Sequence, residues 1–77
     1  MYKYIFSGPG TINFKTPKVN SLDEVKKTFH QFPDHIESHL EYPNGLIIDS
    51  VLYCDRAEYV TNKRLILLED CSIGFED

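Results

Sequence analysis

The chain has 77 residues, 42% of them hydrophobic and 26% charged, with a net charge of −4. That length excludes more than one domain with its own core, and that composition excludes a disordered chain. The lack of any apolar run near the ~20 residues of a membrane span excludes a transmembrane helix.

We therefore read residues 1–77 as a single domain. MYKYIFSGPG carries one lysine and only a short mixed stretch, unlike a signal peptide with its apolar run of about 7–15 residues. The cytoplasm is the expected location, and there Cys54 and Cys71 read as buried, inert free thiols. The charge is unevenly spread. Residues 1–33 carry five lysines against two acids, a balance of +3, whereas residues 34–77 carry ten acids against three bases, a balance of −7. An acidic half of this kind repels nucleic acid and attracts a basic surface, although a net charge of magnitude ~2–8 is also ordinary solubilising charge in a small domain.

In chain order, Tyr2, Tyr4 and Phe6 alternate with Lys3, Ile5 and Ser7, then Gly8-Pro9-Gly10 signals a turn. Residues 11–16 alternate again through Ile12 and Phe14, which predicts an N-terminal β-hairpin ended by Pro17. Ser21 and Glu24 have the spacing of a capping box. Leu22, Val25, Phe29 and Phe32 then fall on one helical stripe, with Asp23, Lys26, Lys27, His30 and Gln31 on the other face. This predicts a helix over residues 21–32, stopped by Pro33.

Residues 34–42 read two ways. As a strand, Ile36, Ser38, Leu40 and Tyr42 share a face; as a helix, Pro33 leads and Ile36 stacks on Leu40. Propensity favours a helical turn or short helix near 34–41. Pro43-Asn44-Gly45 marks a turn before a strand at 46–54, apolar on both faces. Asn62-Lys63 suggests the tip of a hairpin between residues 57–61 and 64–69. A last strand at 71–75 points Cys71, Ile73 and Phe75 inward. The predicted class is α+β: a small antiparallel sheet, built of an N-terminal hairpin and a C-terminal meander, packed on one main helix. Strands apolar on both faces exceed what one helix covers, so a homodimer or a strand-edge contact is expected.

No constellation supplies catalysis. His35 and His39 would share a metal on a helix, but on a strand they lie about 13 Å apart at ~3.3 Å per residue. Their His-x-Glu-x-His order is not the His-Glu-x-x-His of zinc proteases. Cys54 and Cys71 neighbour Asp55 and Asp70, which disfavour a thiolate. Ser7-Gly8-Pro9-Gly10 lacks the Gly-Lys-Ser/Thr end of a phosphate loop. Aromatic residues near Lys3, Lys15, Lys26 and Lys27 suggest a nucleic-acid platform, but no RNP1-like segment is present.

The reading is of a non-enzymatic protein-binding module, without metal or cofactor, that inhibits or modulates a partner with a basic surface. Glu37, Glu41, Asp49, Asp55, Glu58, Glu69 and Asp70 are the expected contacts, with Tyr53 or Tyr59 as aromatic anchor. The alternatives are a nucleic-acid-binding domain using the basic first half and a metal-binding protein using His35 and His39. The profile, short and acidic with no catalytic set, resembles small accessory proteins of phages and mobile elements, several of which block a host nuclease or defence complex. That likeness implies an anti-defence role in host–virus interaction and covers no motif.

Overall fold

The computed structural model describes residues 1–10 and 12–76. Thr11, where the second strand of the expected hairpin begins, and Asp77 lie outside the described residues. Seven strands account for nearly all the regular structure: β1 (Tyr2–Ser7), β2 (Lys26–Gln31), β3 (Ile36–Glu41), β4 (Ile47–Leu52), β5 (Arg56–Thr61), β6 (Leu65–Leu67) and β7 (Ile73–Phe75). The first five form one antiparallel sheet in the order β1-β5-β4-β3-β2; β6 and β7 form a second, two-stranded sheet.

The α+β expectation is therefore overturned. The capping box does form, with Ser21 accepting from the Asp23 N–H and Glu24 accepting from the Ser21 N–H, but it closes a single 3-10 turn, Leu22–Glu24. The chain then extends into β2, whose residues pair one for one with β3. Lys26 faces Glu41 and His30 faces Glu37, pairings that a helix over 21–32 would forgo. Residues 32–35 link β2 to β3, with Pro33-Asp34 at the tip, where the Phe32 N–H donates to the His35 carbonyl at 2.9 Å. Residues 36–41 are likewise a strand, not the short helix expected near 34–41.

The N-terminal hairpin is also corrected. β1 pairs with β5, Tyr4 opposite Tyr59, across more than fifty residues of chain. Gly8 and Gly10 adopt left-handed φ values of 104° and 97°, open to glycine without steric cost, and they turn the chain across the sheet rather than back along β1. Past Thr11, Ile12 and Phe14 pack onto one sheet face. Phe14 makes a lone parallel bridge to Ile73, and the Lys15 N–H donates to the Ile73 carbonyl at 2.8 Å. Nor do 57–61 and 64–69 pair: β5 lies between β1 and β4, and β6 pairs only with β7.

The core sits between the sheet and this overlying layer. Leu46, Ile48, Ala57 and Tyr59 are buried in it, ringed by Phe6, Ile12, Phe14, Leu40, Tyr42, Leu52 and Phe75. Tyr59 takes Phe14 edge-on at 4.9 Å and Phe6 at 5.8 Å, and Phe75 lies 5.5 Å from Phe14. Aromatic edges favour such tilted contacts, which strengthens a core that a short chain cannot make thick. Thr61, the one polar side chain with no exposure among the described residues, donates to the Lys63 carbonyl at 2.5 Å.

Candidate functional site

Side chains alternate along each strand, so the register divides the five-stranded sheet into two faces. The core and its overlying layer occupy the face of Tyr4, Phe6, Ile48, Ala57 and Tyr59. Among the described residues, no element covers the opposite face. Its side chains line up in cross-strand rows.

At one end, the row Phe32, His35, Tyr53 and Arg56 forms a continuous stack. Phe32 lies parallel to His35 at 4.6 Å, His35 is 5.6 Å from Tyr53, and the Arg56 guanidinium sits 3.9 Å over the Tyr53 ring. The next row runs His30, Glu37, Val51, Glu58 and Ile5; the third runs Thr28, His39, Asp49, Val60 and Lys3; the last sets Lys26 beside Glu41 and Ile47. Thr28, His30, Glu37, His39, Asp49 and Val51 border a shallow hollow of about 430 Å³.

Charges on this face interact across the strands. Arg56 donates from Nε to Glu58 at 2.9 Å, and Lys3 approaches Glu58 at 3.4 Å. These bonds, Arg56 first, hold the Glu58 carboxyl below its usual range. His39 donates from Nδ1 to Asp49 on β4 and lies 3.6 Å from Glu41 on its own strand. The Asp49 bond, with both carboxylates nearby, raises the His39 pKa. His35 lies between Asp34 at 2.7 Å and Glu37 at 3.1 Å, and the Asp34 bond leads in raising its pKa as well. Both imidazoles therefore hold their proton to higher pH than a free histidine does.

The expected contact residues separate into three groups. Glu37, Glu41, Asp49 and Glu58 share the open face, and Tyr53 joins them in the aromatic row, beside Asp55 in the β4–β5 turn. Glu69 and Asp70 lie in the β6–β7 turn, away from that face. Asp70 is held there by Lys15 at 2.6 Å and by Ser72, bonds that keep its carboxyl far below the ordinary range. Tyr59 is only 5% exposed and faces the core, where its hydroxyl accepts the Ile12 N–H at 3.2 Å, so it offers no anchor to a partner.

The other expected groupings are dispersed. His35 and His39 bond different carboxylates, and among the described residues no three His, Cys, Asp or Glu side chains gather as a metal site. Lys3 and Lys15 are in ion pairs, while Lys26 and Lys27 project from opposite faces of β2. Cys54 and Cys71 are free and exposed, not buried; Cys71 occupies a turn with φ of 67°. Sequence reasoning missed the stacked row, although Pro33-Asp34 between two alternating segments signals the hairpin that brings Phe32 to His35.

Compared with protein-family models, characterised proteins and solved structures, the chain matches none. No described helix is long and apolar enough to cross a membrane.

Proposed function

We propose that the chain is a small protein-binding module whose open sheet face docks on a basic surface of a partner, inhibiting or modulating it. One observation carries the reading: Glu37, Glu41, Asp49 and Glu58, from three adjacent strands, share an uncovered face with Ile5, Val51 and Val60 between and beside them. Alternating carboxylates and aliphatic side chains suit a protein surface bearing Lys and Arg, because each cation finds an acceptor while the aliphatic side chains beside it exclude water. Phe32, at the end of the stacked row, adds a flat exposed ring at the rim on which a partner's guanidinium can stack. Glu58 contributes least, since Arg56 and Lys3 already neutralise it. A phage-type inhibitor of a host nuclease or defence complex is one partner relationship of this kind.

The test is capture from a cell lysate at low and moderate salt with wild type, an open-face double variant Glu41→Lys/Asp49→Lys, and Glu69→Lys as control. A protein held by wild type and by Glu69→Lys, released by salt and lost with the double variant, supports the proposal. Retention unaffected by the double variant contradicts it.

A further inference from the structure

Every residue of β2 is exposed, and the strand contacts the rest of the sheet only through β3. On the core-facing side, Phe29 is 63% exposed and Ile36 is 39% exposed, so this corner of the sheet is not capped. We propose that two copies of the chain associate edge to edge through β2, as an antiparallel pair with its two-fold axis at Phe29.

The register follows from the backbone. The Phe32 N–H bond to His35 closes the β2–β3 hairpin. Antiparallel strands alternate between bonded and non-bonded pairs, so Lys26, Thr28 and His30 also direct their N–H and C=O groups at β3. Lys27, Phe29 and Gln31 direct theirs outward. A two-fold at Phe29 pairs Phe29 with the partner's Phe29 and Lys27 with the partner's Gln31, in both directions, for six hydrogen bonds. Moving the axis to Thr28 leaves four.

The side chains fit the same register. A two-fold perpendicular to the sheet keeps like faces together, so the two Phe29 rings meet where each copy is uncapped. No lysine faces a lysine: Lys27 lies beside the partner's Gln31, and Lys26 lies diagonally from the partner's Asp34, an opposite charge. Lysines normally guard an edge strand against indiscriminate pairing, and this register is one they tolerate. The other edge, β1, is less suited. Its inner face is covered, with Phe6 6.5 Å from Phe14 and the Tyr4 hydroxyl accepting the Leu65 N–H at 3.0 Å. A contact of one strand pair is at or below the roughly 1,200 Å² of the smallest stable interfaces, so the dimer is weak and concentration-dependent.

The experiment combines sedimentation equilibrium with amide hydrogen exchange, over about 10 μM to 1 mM, a range suited to a weak dimer. The average mass is expected to rise from 9.0 kDa toward twice that value. The Lys27, Phe29 and Gln31 amides gain protection with concentration, while those of Thr28 and His30 are protected throughout. Phe29→Lys places two cations at the axis. Gln31→Pro removes two of the six inter-chain bonds and no bond to β3. Each variant should keep the wild-type circular dichroism spectrum and weaken association at least tenfold. A mass of one chain across the whole range overturns the proposal, as does protection appearing at Lys3, Ile5 and Ser7, the outward amides of β1.

Discussion

Tyr59 has both its ring and its hydroxyl engaged in holding the layers together. Tyr59→Phe keeps the ring contacts and leaves the Ile12 N–H without its acceptor, so thermal or denaturant unfolding should show a loss of about 1 kcal/mol. Cys71 is the only non-glycine residue with positive φ among the described residues, and Asn tolerates that conformation better. Cys71→Asn should raise the melting temperature slightly; a clear fall would mean the thiol makes a contact that matters. His39, like His35, contributes to the pH response. It faces Asp49 from β4, Glu41 on its own strand, and Thr28 on β2, with Lys26 and His30 diagonal to it. Because its folded pKa is raised, its contribution to stability is fully present below about 6.5, the unfolded value, and is lost as pH rises through the folded one. Deprotonation also makes the open face more negative, so binding to a basic partner should strengthen over the same window. An NMR titration should find the His39 pKa above that of a free histidine and lowered by Asp49→Asn; an unchanged value in the variant would remove Asp49 as the cause. Little of this was legible in the sequence. Tyr59 reads from the sequence as an aromatic anchor for a partner, because alternation does not tell which face the chain will cover.

β2 shows why local signals misled. Ser21 and Glu24 do cap a turn, and Leu22, Val25, Phe29 and Phe32 do have helical spacing. Of those four only Val25 is buried, while Leu22 is 70% exposed. Helix propensity is a weak preference, and pairing with β3 bonds alternate residues of β2 while adding the Lys26–Glu41 and His30–Glu37 contacts. That complementarity was readable, since charges of opposite sign sit at equal distances on either side of Pro33-Asp34. Circular dichroism should accordingly show a β-sheet spectrum without the helical double minimum, whose appearance would restore the helix. The strand expected at 46–54 forms as β4, Ile47–Leu52, central in the sheet and apolar on both faces. Residues 11–16 read as a strand partner of β1, yet the described part, residues 12–16, crosses the sheet through Phe14. Phe14→Ala should cost about 3 kcal/mol in denaturant unfolding, because it strips the contacts to Phe6, Tyr59 and Phe75 together. A loss under about 1 kcal/mol would mean that the crossing segment is held by other contacts.

At the scale of the whole molecule, the chain is a twisted sheet with one face used for the core and one left open. Four carboxylates of the acidic second half, Glu37, Glu41, Asp49 and Glu58, lie on β3, β4 and β5 and share that open face, while Glu69 and Asp70 leave it with the β6–β7 turn. The excess of apolar strand faces was legible as a hint of association; which strand would be left as an uncapped edge was not, because that depends on the long-range β1–β5 pairing. The most direct test of the binding account is the salt-dependent capture comparison between wild type and Glu41→Lys/Asp49→Lys. The account predicts a partner that wild type retains at low salt, releases as salt rises, and loses in the double variant. Equal retention by both proteins, or retention indifferent to salt, would contradict it.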